Sequence, residues 1–281
     1  MKKWIAWLLA FTLVFGLTGC SAEEVEEVLD VAVPIAIAIL ESETEEGETE
    51  PEDVWEYEEE MPETEETPVE IPENWFLPIL ALPPVMEEIP EFTGEAYVEI
   101  NGNMPYFVGE ELYPDSFEFY SDLDDLKRCG LTAACIGVDL MPTEDRGDIG
   151  SVKPSGWQSV TYDSKLVEGR YLYNRCHLIG FQLAGENANR KNLITGTRYL
   201  NIEGMLPFEN LVADFVQETQ EHVMFRVTPV FEGEELVARG VIMEGWSVED
   251  EGESVCFCVF AYNVQPGVEI DYATGESKLA K

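Results

Sequence analysis

The chain is short of histidine, holding only His177 and His222 in 281 residues. No cysteine or histidine spacing has the form of a zinc site, so that class of metal chemistry finds no support. Positive charge is scarce beside negative charge. Sixteen Lys and Arg face 57 Asp and Glu, a formal net charge of −41, and no cation lies between Trp4 and Leu126. A uniformly basic surface that would coat DNA is therefore excluded, because polyanion affinity rests on cations that displace condensed counterions. Long apolar runs are absent too. Residues 4–15 are mostly apolar, but twelve residues fall short of the roughly 20 that a membrane helix needs. No internal repeat is visible.

The short apolar run follows Met1-Lys2-Lys3, which reads as an export signal. It ends in Leu17-Thr18-Gly19-Cys20, which resembles the lipobox of bacterial lipoproteins and implies residues 1–20 as signal with Cys20 as the acylated N-terminus. Such acylation would hold the protein at the extracellular face of the cell membrane. Residues 21–92 carry Glu-rich runs mixed with Pro and Thr and predict an extended, self-repelling, disordered tether. Two apolar patches interrupt it, at 31–40 and 75–86, and are expected to be unstructured or weakly packed. Of six cysteines, five remain once Cys20 is lipidated. Cys129 and Cys135 could pair in an exported protein. Cys256 and Cys258 share a strand face but lack further ligands.

Residues 93–281 read as one domain. A strand is expected near 96–100, followed by an Asn101-Gly102-Asn103 turn. Residues 114–126 read as a helix, with Phe117, Tyr120 and Leu123 on one face and Gly130 just past its end. Further strands are expected at 134–140, 157–162, 171–176, 223–231, 236–246 and 255–264. Pro207 opens a helix with Phe208, Leu211, Val212, Phe215 and Val216 as its apolar stripe. Short helices against a mostly antiparallel sheet make the class α+β.

The chemistry concentrates between 173 and 209. Tyr173-Asn174-Arg175-Cys176-His177 places an imidazole after a guanidinium, and Asn189, Arg190, Lys191, Asn192, Arg198, Asn201 and Glu209 follow. Imidazole titrates near neutrality and is the natural proton acceptor for activating water. Amide and carboxylate oxygens suit Mg²⁺, and guanidinium suits phosphate oxygens. Together these describe metal-assisted phosphodiester hydrolysis. Charge agrees locally: from Lys153 to Arg198 seven cations stand against three carboxylates. His222, in a helix-to-strand connection, and Arg226, in a strand, are assigned no catalytic part.

Asn174-Arg175-Cys176-His177 resembles the Asp-Arg-Gly-His signature of the DNA/RNA non-specific endonucleases, the ββα-metal nucleases, in their streptococcal DNA-entry branch. The likeness continues through Lys191-Asn192-Leu193, Asn201, Phe208-Glu209, Phe225-Arg226-Val227-Thr228 and Ile270-Asp271-Tyr272-Ala273-Thr274-Gly275. It implies a ββα-metal fold, His177 as general base and Asn201 as the single protein ligand of Mg²⁺, with Mn²⁺ an open substitute. Glu209 would hold metal-bound water. Arg175 would bind or orient phosphate, or buttress the site. Arg190, Lys191 and Arg198 would contact substrate, and Asn174, Asn189 and Asn192 would support. Two letters depart from the signature: Asn174 replaces a carboxylate and Cys176 a glycine. A Cys-His hydrolase is rejected, because neighbours on a strand face opposite ways. The function expected is a surface-anchored nuclease for DNA, with RNA open and no protein partner. The alternative is a non-catalytic nucleic-acid-binding or adhesion module on the same fold.

Overall fold

The computed structural model describes residues 71–81 and 89–281, all within the unit Pro68–Lys281. The expected signal, Cys20, the patch at 31–40 and the acidic stretch up to residue 70 lie outside the described residues.

Six antiparallel strands form the central sheet, in the order β1-β8-β7-β6-β3-β2. They are β1 (Tyr97–Glu99), β2 (Phe117–Tyr120), β3 (Thr132–Ile136), β6 (Val223–Val230), β7 (Gly240–Ser247) and β8 (Cys256–Tyr262). β4 (Tyr173–His177) pairs with β5 (Leu193–Thr197), and β9 (Val268–Ile270) with β10 (Ser277–Leu279), as separate two-stranded units. The helices are α1 (Phe181–Ala184) and α2 (Leu206–Thr219).

The central strands are apolar on both faces, so the sheet is covered twice. Ala134, Ile136, Phe225, Val227, Met243 and Val259 face one way, onto Cys176 of β4, Leu178 just beyond it, Leu200, and Val212 and Val216 of α2. Ala133, Cys135 and Met224 alternate to the other face, where they meet Trp75, Ile79 and Phe107.

That second covering corrects the expected tether. Trp75 is 7% exposed and Ile79 0%, so residues 71–81 are packed rather than weakly docked. The reason lies beneath them. Arg226 is buried in β6 with a two-point pair to Glu244 of β7, Nε to Oε2 at 2.6 Å and Nη2 to Oε1 at 2.7 Å. Its remaining nitrogen donates to the carbonyls of Ile79 and Ala81, at 2.5 and 3.0 Å. A buried guanidinium must fill all its donors, and the incoming segment supplies two acceptors.

The helix expected at 114–126 is absent, and β2 stands there instead. Phe117 and Phe119 alternate with Glu118 and Tyr120, and pairing with β3 (Phe117↔Cys135) puts both Phe rings on the second core. A helix would have faced Phe119 away from Phe117. Residues 121–130 are a turn in which the Asp124 carboxylate accepts from the Arg128 backbone N–H at 2.9 Å and pairs with its guanidinium at 2.7 Å. The strand expected at 157–162 reduces to an isolated bridge, Thr161↔Tyr171. The 101–103 turn is as expected, with positive φ at all three residues. Cys129 and Cys135 are free thiols, each donating to backbone carbonyls, so no disulfide joins them.

Candidate active site

β4, β5 and α2 form one ββα unit. His177, the last residue of β4, pairs with Leu193 and is 6% exposed. Its Nε2 lies 2.9 Å from the Asn187 carbonyl, which only accepts, so the proton sits on Nε2. Nδ1 therefore carries the lone pair. Consistently, Arg146 Nη2, which can only donate, lies 3.2 Å from Nδ1. Burial holds the imidazole pKa below its ordinary 6.5, reinforced by the Arg146 charge and opposed by the Asn187 carbonyl. The ring is thus a neutral base at physiological pH whose lone pair, on Nδ1, is met by the Arg146 guanidinium.

Asn201 lies in a single π-helical stretch, Leu200–Met205, whose wider turn is closed by the Leu206 N–H on the Asn201 carbonyl. That irregularity has a geometric effect. Eight α-helical steps from Asn201 to Glu209 would overshoot two turns by about 80°, whereas five π steps of about 82° and three α steps fall within about 10°. By these ideal angles the π turn sets positions 201 and 209 in phase along the helix. Neither the Asn201 carboxamide nor the Glu209 carboxylate has a hydrogen-bond or ion-pair partner among the described residues. Glu209 rests against Gly180, where a Cβ would come within 2.9 Å of the carboxylate. Burial pushes its pKa up to about 7, partly offset by the Arg146 charge. Two unpartnered hard oxygen donors in phase fit a hydrated divalent cation. No group of three His, Cys, Asp or Glu side chains able to hold a metal occurs among the described residues.

The other expected residues differ in what they touch. Arg175 bonds to the protein through two of its nitrogens: Nε donates to the Val152 carbonyl at 2.5 Å and Nη2 to the Gly150 carbonyl at 2.7 Å, and the guanidinium lies 4.1 Å from the Trp157 ring centre. These bonds tie β4 to the 150–152 loop. Asn192 is wholly buried, clamping Ile179 through its N–H (2.8 Å) and carbonyl (2.9 Å), and Asn189 caps the Lys191 N–H at 3.0 Å. Both fix the loop beyond His177. Lys191 pairs with Asp122 at 2.7 Å and Arg198 with Glu168 at 3.2 Å, while Arg190 is exposed. Asn174 is half-buried, with its amide nitrogen lacking a partner. Cys176 is fully buried, its thiol pushed well above the usual range by burial, which removes it as a nucleophile.

Two residues escaped the sequence reading. Arg146 stands on His177, and Asn187 joins the imidazole to the residue after Arg146: its carbonyl takes the imidazole N–H, and its side-chain oxygen accepts the Gly147 N–H at 2.8 Å. One signal was available for Arg146, the sole cation between Arg128 and Lys153 in an otherwise acidic loop.

A family model described as DNA/RNA non-specific endonuclease matches residues 108–248. The crystal structure of NucA from Streptococcus agalactiae with magnesium bound is 25% identical, with TM-score 0.57, over 65% of this chain and 86% of that one. The metal-free form of NucA is 24% identical, with TM-score 0.56 and the same coverage. The structure of Sda1 nuclease with bound zinc is 25% identical, with TM-score 0.53, over 66% of this chain and 97% of that one. The chain belongs to the DNA/RNA non-specific endonuclease family.

Proposed function

We propose that this protein is an exported nuclease, lipid-anchored through Cys20, that hydrolyses phosphodiester bonds of DNA at the cell surface with Mg²⁺, RNA being an open second substrate. The observation that carries the reading is the fixed tautomer of His177: a buried, neutral imidazole whose Nε2–H is held by Asn187 and whose Nδ1 faces Arg146.

In this reading Nδ1 accepts a proton from the water that attacks phosphorus, and the Asn187 carbonyl steadies the imidazolium that results. Asn201 would hold the cation directly, with Glu209 orienting its water shell. When bound, the ion supplies positive charge against the pentacovalent transition state and the departing 3′ oxygen. Arg146 contributes positive charge beside the base, and Arg190, Lys191 and Arg198 lie on the locally basic stretch that would follow the phosphate backbone. Arg175 acts through position, tying the 150–152 loop to β4. The Cys176 substitution is compatible with an intact site, since its thiol is accommodated in the core.

The test is supercoiled plasmid incubated with purified protein and Mg²⁺, with and without EDTA. Metal-dependent nicking and linearisation are expected. A folded protein that binds DNA but never cuts it would favour the non-catalytic module instead.

A further inference from the structure

Arg146 occupies the one nitrogen that the reaction needs. Its guanidinium cannot give up a proton, so at 3.2 Å from Nδ1 it donates into the lone pair meant for the attacking water. Asn187 already holds Nε2, so the imidazole has no second acceptor to offer. Arg146 also carries a fixed positive charge, which opposes any gain of a proton by the ring.

The same arginine is free to leave. It lies in an exposed stretch, residues 143–148, and has no ion-pair partner among the described residues. Glu209 feels its charge but is not paired with it. The stretch is tied to the site by the Gly147 N–H on Asn187, which keeps Arg146 close to the base while leaving its side chain to choose a partner. A neutral imidazole nitrogen is a weak competitor for a guanidinium. A phosphate oxygen anion is a strong one, through shorter, charge-assisted and commonly two-point hydrogen bonds.

We propose that Arg146 is a phosphate-operated cap on the general base: it covers Nδ1 of His177 in the free enzyme and moves to the phosphodiester when substrate arrives, uncovering the base. The proposal rests on His177 being that base. It makes activation of water conditional on an anion in the site, and it gives one residue two successive partners.

The test uses the full chain labelled with ¹⁵N-histidine, whose two imidazoles are separated by comparison with His222→Gln. Inorganic phosphate, without divalent metal, is the probe. In the wild type, phosphate is expected to move the His177 Nδ1 resonance from that of a hydrogen-bonded nitrogen towards a free lone pair. Arg146→Met is expected to show the free position from the start and to stay there when phosphate is added. Arg146→Lys, which keeps the charge but not the fork, should respond only in part. In plasmid cleavage, Arg146→Met should raise KM by about 10- to 100-fold, the loss expected for a charged phosphate contact. The proposal is overturned if phosphate leaves Nδ1 unmoved in the wild type, or moves it equally in Arg146→Met. A wild type that shows the nitrogen response but cuts nothing would instead sink the nuclease reading and leave the exchange standing.

Discussion

Cys176 occupies the space that a side chain at Gly196 would need: a Cβ built on Gly196 would overlap the Cys176 Sγ and press on Leu200. The two residues lie on the same face of the β4–β5 hairpin, since Cys176 pairs with Ile194 and Gly196 lies two residues further along β5. The bulk that breaks the family signature at 176 is therefore met by the absence of a side chain at 196. Gly196→Ala is expected to cost about 1–3 kcal/mol through overpacking. Adding Cys176→Gly should recover most of that loss, giving a favourable coupling in a urea double-mutant cycle. Strict additivity would show that the two residues do not share the space.

His177→Ala should lower plasmid cleavage by roughly 10² to 10⁴-fold while the protein still binds DNA. His222→Ala should leave cleavage near wild type, because His222 faces Glu249 at 2.6 Å, a contact the proposed chemistry does not use. The base works when neutral and burial lowers its pKa, so the acid limb of kcat/KM should fall below pH 6.5. An acid limb well above 6.5 would count against His177 as that group.

Glu209 links metal and stability. Its folded pKa of about 7 stands above the ordinary 4.5, so the unfolded chain binds fewer protons between those values. Its contribution is fully present below pH 4.5 and lost as pH rises through 7. In EDTA at pH 8, Glu209→Gln should raise stability by about 1–3 kcal/mol while impairing cleavage. Thermal melts at pH 4 and pH 8 check the sign: the gain should vanish at pH 4.

The docked segment can be released from beneath. Arg226→Met leaves the buried Glu244 carboxylate without its guanidinium and the Ile79 and Ala81 carbonyls without their donor. A loss of about 3–5 kcal/mol is expected, as for breaking any buried pair on one side. Limited proteolysis should then cut within 71–81 faster than in the wild type. Trp75→Ala, which removes apolar packing instead, should destabilise by about 3–5 kcal/mol. A near-neutral effect of both would mean that the segment contributes little to the fold.

Much of this was legible along the chain. The scarcity of histidine and of cations made one imidazole within one basic stretch stand out, and the ordered run from Asn174 to Glu209 carried the family. Strands β6, β7 and β8 and helix α2 announced themselves through apolar residues and Pro207, because their periodicity reflects burial that is largely local. Three features were settled only by tertiary contact. Residues 117–120 satisfy both helical and strand spacing, and the partner β3 decided for the strand. Residues 71–81 look like spacer until a buried arginine 145 residues on requires their carbonyls. Arg146 sits 31 residues from the imidazole it touches. Sequence determines which groups exist and what each can do, whereas the closing of loops onto one imidazole depends on packing that no local pattern encodes.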